Sequence, residues 1–167
     1  MTLPATSQVT IRSATGKDHL PLVRVVDDWW GGRPTRQRLP RLWLDHFSGT
    51  SLVAEVPGGG RVGFIVGFVS ADRADEAYLH LVGVAPGRRR HGVGRALVDA
   101  FVGRVVARGV RRVTTIAWPG DPIGLAFLRA MGFETDGGRG TRPLYGVPAW
   151  TDWDHDHDDQ AVLTREI

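Results

Sequence analysis

Apolar residues recur along this chain with two different periods, which predict a mixture of helices and strands. Asp18 can cap a first helix, whose apolar stripe runs from Leu22 to Trp29, and apolar residues at helical spacing predict a second helix over residues 35–47. Later helices are predicted from Val93 to about Gly109 and from Pro122 to Met131. Short apolar runs bounded by turn residues predict strands at 9–12, 51–56, 61–70, 77–84, 112–117 and 161–165, with another beginning at Phe133.

The order of these elements predicts an α+β (mixed α/β) architecture. The strands at 51–56, 61–70 and 77–84 follow one another through short turns, which is typical of an antiparallel meander. The chain then changes to strand–helix–strand, which favours a mixed sheet with helices on both faces. We expect one domain over residues 1–167, with a long loop at 135–160, rich in Gly, Pro and Asp, before the last strand.

Composition narrows the classes of function. The 167 residues include no cysteine, which excludes disulfides, thiolate metal sites and a cysteine nucleophile. Neither a secretory signal nor an apolar run of membrane-spanning length is visible, so a cytoplasmic protein with no membrane partner is the simplest interpretation. Lys17 is the lone lysine, so almost all the cations are arginines, which suit phosphate contact. The net charge of +3 is not concentrated enough to argue for a nucleic-acid partner.

A glycine-containing turn between a strand and a helix carries the most specific signal. The apolar run Leu79–Ala85 leads into the basic turn Pro86–Gly94, after which an amphipathic helix begins. This arrangement directs backbone N–H groups towards a phosphate. A Walker loop requires Lys-Ser/Thr after its last glycine, and a dinucleotide fingerprint requires a third glycine where Leu97 stands. The turn instead matches R-x-x-G-x-G, with Arg89, Gly92 and Gly94.

This motif, preceded by Val84-Ala85-Pro86, resembles the acetyl-CoA-binding motif of the GNAT acyltransferase superfamily. The segment from Asp121 to Phe133, which ends in Met-Gly-Phe, resembles the second signature of that family. The resemblance implies a three-layer αβα fold with a mixed, mostly antiparallel sheet of about six to seven strands and about four helices. It also implies an N-acetyltransferase that uses acetyl-CoA without a metal. Its acceptor would be an amine of a small molecule or peptide, and a homodimer is possible.

The resemblance also assigns residues to coenzyme A. The strand before the turn would hold the pantetheine arm, with the Val84 N–H stabilising the oxyanion. Arg88 and Arg90 can equally be solvated surface residues, and capping of the helix from Pro122 is favoured over catalysis for Asp121. The predicted cofactor-binding residues are Val82, Gly83, Val84, Arg89, Arg90, His91, Gly92, Val93, Gly94, Arg95, Asp121 and Phe127.

Proton transfer is less well specified. Tyr78 and His80 share one face of the central strand, and His80 suits a general base at neutral pH. A structural histidine explains His80 equally well, and Tyr78 is a candidate acid or substrate hydrogen-bond donor. Many members of the family place an acidic tyrosine on the helix before Gly-Phe, where this chain has Leu128, which cannot donate a proton.

The resemblance implies that the first two helices, and the segment between them, cover the acceptor site. Asp27 and Asp28 adjoin two tryptophans there, and carboxylates beside indoles can hold a cationic amine. Asp28, Trp30 and Arg33 are therefore candidate acceptor-binding residues, whereas Trp29 favours a place in the core. The His- and Asp-rich segment 152–159 is interpreted as a solvated acidic loop rather than a metal site.

Two other functions stay open. Because Leu128 replaces the usual acid, the chain could be a non-catalytic coenzyme A-binding or regulatory module. The arginine content alone suggests a nucleic-acid-binding module, which predicts strongly salt-dependent affinity for DNA or RNA.

Overall fold

The computed structural model describes residues 8–167, so the start of the chain, where no secretory signal is expected, lies outside the described residues. The strands are β1 (Thr10–Ser13), β2 (Leu52–Val56), β3 (Gly60–Val69), β4 (Glu76–Val84), β5 (Arg112–Ala117), β6 (Glu134–Thr135), β7 (Arg142–Leu144), β8 (Val147–Ala149) and β9 (Ala161–Glu166). The α-helices are α1 (His19–Val23), α2 (Val26–Trp29), α3 (Leu42–His46), α4 (Val93–Val106) and α5 (Pro122–Ala130). Short 3₁₀ turns cover Gly16–Asp18, Arg36–Arg38 and Pro86–Arg88.

Seven of the strands form one mixed sheet in the order β1-β2-β3-β4-β5-β9-β6. β1 pairs antiparallel with β2, and β2 with β3. β4 runs parallel to β5 through the pairs from Glu76–Arg112 to Tyr78–Thr114, and β9 pairs antiparallel with both β5 and β6. The predicted α+β fold with a mostly antiparallel sheet is therefore confirmed.

The chain divides into two compact units. The first unit comprises residues 8–68 and 79–108, and the second comprises Val69–Tyr78 and Gly109–Ile167. In the first unit a cluster of buried side chains surrounds Trp29, Phe64 and Leu81. In the second unit the fully buried residues include Val113, Phe133 and Leu163. The expectation of one domain over residues 1–167 stays a prediction.

Two predicted helices are broken. The helix expected over residues 35–47 is a 3₁₀ turn at Arg36–Arg38 followed by α3, because Pro40 lies between them and cannot donate a helical hydrogen bond. The helix expected after Asp18 is likewise divided into α1 and α2. The prediction that Asp18 caps this helix is wrong: its side chain makes no cap to α1 and instead accepts a hydrogen bond from the Thr15 N–H at 2.8 Å.

The segment 135–160 contains more regular structure than a long loop. β7 and β8 pair as a small antiparallel hairpin, which was not predicted, and Trp150 forms an isolated bridge with Gln160. The acidic part is folded on itself, since the Asp152 carboxylate accepts from the His157 N–H at 2.7 Å and that of Asp158 from the Asp154 N–H at 3.2 Å.

β4 alternates strictly between buried and half-buried positions. Ala77, Leu79, Leu81 and Gly83 are buried, so Tyr78, His80, Val82 and Val84 share the other, half-buried face of the strand. This period brings every predicted site residue of the central strand except Gly83 onto one face. Within the described residues, no helix is both long and apolar enough to cross a membrane.

Candidate active site

The C-terminal half of β4 presents backbone groups at its outer edge. The Ala85 N–H donates to the Val62 carbonyl on β3 at 2.9 Å. Because successive backbone groups of a strand point to alternate sides, the N–H groups of Val82 and Val84 point away from β3. Within the first unit they can therefore pair with an extended ligand, as an added strand would.

The turn after β4 contains two residues with positive φ. Arg90 has φ 62° and Gly92, the residue that precedes α4, has φ 81°. A Cβ added at Gly92 would meet no atom within 4 Å, so the space above the turn is open. Around this opening Arg90, His91 and Arg95 are exposed, whereas Val93 and Gly94 are buried at the start of α4. The turn can thus cradle an anion with backbone N–H groups and arginines at the positive end of a 14-residue helix.

Arg89, the first residue of the motif, is engaged with backbone rather than exposed to solvent alone. Its Nε donates to the Val84 carbonyl at 3.1 Å, and its Nη2 donates to the Trp29 carbonyl at the end of α2. The neighbouring His91 donates from Nδ1 to the Arg89 carbonyl at 2.7 Å. The two Arg89 hydrogen bonds connect the turn to β4 and to the end of α2. Arg89 therefore stabilises the conformation of the turn.

At the end of α2 the aromatic residue Trp29 and the acidic residue Asp27 have different surroundings. Trp29 is buried and stacks on Phe64, as expected of a core residue. Asp27 accepts from the backbone N–H and the Nε of Arg36, at 2.7 and 2.6 Å, and from the Thr35 N–H at 2.7 Å. The backbone hydrogen bond from Arg36, followed by its side-chain hydrogen bond, lowers the pKa of Asp27. Asp27 therefore stabilises the loop between α2 and α3 through its hydrogen bonds to Thr35 and Arg36.

The three candidate acceptor-binding residues lie nearer the surface. Asp28 and Arg33 are exposed, and Trp30 is half-buried against Phe64, with 6.1 Å between ring centroids. Arg33 donates from Nε to the Trp30 carbonyl at 3.4 Å. The end of α2 and the loop that follows it therefore present a carboxylate, an indole and a guanidinium, and their role in acceptor binding stays a prediction.

His80 is held by two neighbours from the segment that precedes β2. Its ring lies flat on the indole of Trp43, with 4.4 Å between centroids and 12° between planes. Its Nε2 is 2.6 Å from the Arg38 carbonyl. A carbonyl can only accept, so Nε2 carries the hydrogen and the lone pair of the neutral ring lies on Nδ1. This geometry leaves His80 able to accept a proton.

The second unit holds the remaining predicted residues. Tyr78 pairs with Thr114 in the parallel ladder of β4 and β5. Asp121 accepts from the Gly124 N–H at 3.0 Å, which confirms the predicted cap of α5. Phe127 is half-buried, and its role towards the cofactor stays a prediction. Leu128 is 6% exposed, so an aliphatic core residue stands where the family resemblance implies an acid.

Sequence reasoning missed two residues beside His80. The sequence places Trp43 on the apolar stripe of the helix predicted over residues 35–47 and Arg38 in its first turn, where the structure has a 3₁₀ turn instead. No local signal identifies them, because their contacts with His80 span 37 and 42 positions of the chain. Among residues 8–167, no three His, Asp or Glu side chains lie close enough together to hold a metal ion.

Comparison with known proteins gives a consistent result. Residues 21–133 match the model of the acetyltransferase (GNAT) family. L-2,4-diaminobutyric acid acetyltransferase from Nocardia farcinica is 31% identical over 129 residues, which cover 75% of this chain. The matched region spans 66% of that relative, just under two thirds of its length.

Solved structures share the fold. Ard1 from Thermoplasma volcanium superposes with a TM-score of 0.74 and 24% identity, covering 95% of this chain and 97% of the other. Diaminobutyrate acetyltransferase from Paenibacillus lautus, in complex with L-2,4-diaminobutyric acid and coenzyme A, gives a TM-score of 0.69 and 21% identity. The superposition covers 94% of this chain and 95% of the Paenibacillus lautus enzyme. At these identities the likeness concerns the fold.

Proposed function

The chain belongs to the acetyltransferase (GNAT) family, and from this membership we propose that it transfers an acetyl group from acetyl-CoA to a primary amine of a small molecule. The observation that carries the proposal is the alignment of three features along one strand and its turn. They are the outward N–H groups of Val82 and Val84, the open turn at Gly92, and His80 on the same face of β4.

The donor half of the site suits acetyl-CoA. The backbone N–H groups of Val82 and Val84 would bind the pantetheine arm, and the Val84 N–H would stabilise the negative charge that develops on the thioester oxygen. The turn from Arg90 to Arg95 would bind the pyrophosphate. Gly92 suits this turn for two reasons: it adopts a positive φ, and its lack of a side chain leaves the approach of a ligand to the backbone open.

The reaction requires one proton acceptor. The amine nitrogen attacks the acetyl carbon, the carbon–sulfur bond breaks, and coenzyme A leaves as the thiolate or thiol. His80 would take the proton from the attacking amine. Because Leu128 is buried and aliphatic, we assign no protein acid to the departing thiolate, which would take its proton from solvent, and His80 would return its proton to solvent.

We further propose that the acceptor is a small amino acid with a second amino group, such as L-2,4-diaminobutyric acid. This acid gives its name to the related acetyltransferase from Nocardia farcinica. Support comes from a cationic residue whose backbone contacts His80. Arg38, whose carbonyl contacts His80, carries an exposed guanidinium that forms no ion pair within residues 8–167. Its neighbours Arg36 and Arg41 are paired with Asp27 and Asp45. A guanidinium in this position can bind a carboxylate in a bidentate manner.

A screen for acetyl-CoA consumption tests this function. Purified protein is assayed with L-2,4-diaminobutyrate, ornithine, lysine, 1,3-diaminopropane and short peptides, and the acetylated product is identified by mass spectrometry. We expect turnover with diamino acids, weaker turnover with 1,3-diaminopropane, which lacks the carboxylate, and little with peptides. The His80→Gln variant should lose about 100-fold or more in kcat, the lower range for general base catalysis, while it binds coenzyme A normally.

A non-catalytic coenzyme A-binding module is the second candidate, since Leu128 supplies no acid. It predicts calorimetric binding of coenzyme A with no acetyl transfer to any amine in the panel. It also predicts that His80→Gln changes only stability. A homodimer, which the family resemblance leaves possible, and a cytoplasmic location, which is the simplest interpretation of the sequence, stay predictions.

A further inference from the structure

His80 is restrained on two sides by groups that do different things to its ring. The indole of Trp43 covers one face of the imidazole, and their planes differ by only 12°. The Arg38 carbonyl accepts a hydrogen bond from Nε2, whose N–H lies in the plane of the imidazole ring, at a distance of 2.6 Å. A flat stack limits tilting of the ring, and an in-plane hydrogen bond limits its rotation and chooses its tautomer.

We infer that Trp43 and the backbone carbonyl of Arg38 position His80 so that its Nδ1, and not its Nε2, accepts the proton of the acceptor amine. The inference rests on the proposed acetyl transfer. Trp43 is a positioning residue here, because it acts through His80 and its near face is already covered by the imidazole.

The hydrogen bond at Nε2 survives a complete catalytic cycle. Neutral His80 carries a proton on Nε2, and the imidazolium formed when Nδ1 is protonated still carries it. The carbonyl of Arg38 therefore accepts the same hydrogen bond in both charge states, and it becomes stronger when the ring is charged. The ring can gain and lose a proton without changing its orientation, which is the preorganisation that a general base requires.

Trp43 is itself supported by aromatic neighbours. Its ring centroid is 5.2 Å from that of Phe47 and 5.8 Å from that of Phe68, and these two rings are 5.6 Å apart. Phe47 thus belongs to the same cluster and packs on Trp43, while the flat stack on His80 comes from Trp43. This difference makes Phe47 a matched control for a general loss of aromatic packing.

Steady-state kinetics with acetyl-CoA and the best acceptor test the positioning role. Trp43→Leu should lower kcat by about 10- to 100-fold, the range for a displaced catalytic group, and leave the KM for acetyl-CoA unchanged. Trp43→Phe keeps a flat ring and should retain most of the activity, as should Phe47→Leu. In the His80→Gln background, Trp43→Leu should have no further effect on kcat, because both changes remove one function. Equal losses in Trp43→Leu and Phe47→Leu, or additive losses in the double variant, overturn the inference.

A measurement independent of activity separates this inference from the proposed function. The nitrogen chemical shifts of His80 in the free protein, recorded above the pH at which the ring titrates, report its tautomer. We expect a single tautomer with the proton on Nε2 in the wild-type protein. In Trp43→Leu we expect a mixture, because without the stack the ring can tilt away from the Arg38 carbonyl that selects the tautomer. A wild-type proton on Nδ1 overturns the assignment. A wild-type protein with the expected tautomer and no acetyl transfer instead overturns the proposed function alone.

Discussion

The indole of Trp30 lies so close to the backbone of Gly83 that a Cβ added to this glycine would fall 2.7 Å from the indole atoms Cη2 and Cζ3. The same Cβ would lie 2.8 Å from Cε1 of Phe64, a fully buried ring. Glycine at this position of β4 therefore allows the loop after α2 to close over the strand.

Gly83→Ala is predicted to destabilise the protein by about 1–3 kcal/mol, as is usual when a methyl group is forced into a packed site. It should also displace Trp30, which we expect to raise the KM for the acceptor more than that for acetyl-CoA. Thermal and urea denaturation measure the first effect. Gly87→Ala is the control, because its Cβ would enter open space. A Gly83→Ala variant as stable as Gly87→Ala contradicts the packing.

Gly92→Ala should weaken the binding of coenzyme A by about tenfold or more, which corresponds to roughly 1.4 kcal/mol. The added methyl group lies where the ligand would approach, and alanine resists the φ of 81° at a cost of about 1–2 kcal/mol. Gly109→Ala is a matched control, since it has φ 87° and equally open space but lies after α4. Calorimetry should show weakened binding in Gly92→Ala alone, and equal affinities would contradict the assignment of this turn to the cofactor.

Arg38→Gln should raise the KM for carboxylate-bearing acceptors by about tenfold or more, because a charge-assisted hydrogen bond is lost. The KM for 1,3-diaminopropane should stay unchanged, so the variant loses its preference for diamino acids. The backbone carbonyl that contacts His80 is retained in this variant. Arg24→Gln, a change at another exposed arginine, is the control. An equal rise in KM for both acceptors would contradict carboxylate recognition by Arg38.

Asp18 is fully buried and is surrounded by hydrogen-bond donors. Both of its oxygens accept from Arg12, at 2.8 and 2.9 Å, and it also accepts from Nε of Arg61 at 2.6 Å. Burial alone raises the pKa of Asp18, but the hydrogen bonds from Arg12, from the Thr15 N–H and from Arg61 outweigh burial and hold this pKa well below its ordinary value.

A lowered pKa in the folded state means that the folded protein binds fewer protons than the unfolded chain. The stabilisation by ionised Asp18 is therefore complete above the unfolded pKa of about 3.9 and is lost as the pH falls from there towards the folded value. Asp18→Asn should cost about 3 kcal/mol at neutral pH, because two arginines lose their buried partner. Urea denaturation between pH 2 and 7 should show a flatter acid limb for Asp18→Asn, and parallel curves would contradict this account.

The local pattern of the sequence accounts for most of the fold. The period of β4 and the cap of α5 by Asp121 follow from local chemistry and are confirmed. The helix predicted over residues 35–47 is divided despite its apolar spacing, because Pro40 interrupts the hydrogen bonds of a helix. The β7–β8 hairpin escapes prediction because three-residue strands leave too short a pattern to recognise.

The sequence predicts only the part of the site that depends on backbone groups of consecutive residues. A strand followed by a glycine turn and a helix is a local pattern, so the sequence predicts the donor half around Gly92, and this assignment stays a prediction. The setting of His80 depends on Trp43 and Arg38, which only the tertiary fold brings to it. Arg89 illustrates the same limit, since a motif position indicates the phosphate loop but not that its guanidinium reaches the Trp29 carbonyl.

That guanidinium joins two parts of the chain which our proposals give to different substrates. Arg89 contacts the end of the strand that would hold acetyl-CoA and the end of α2, from which the acceptor loop departs. Acetyl-CoA bound at the turn, as proposed, would therefore also stabilise the loop that we propose receives the amine. Such a connection favours a compulsory order of substrate addition, in which acetyl-CoA binds first and the amine enters a site that the first substrate has helped to complete.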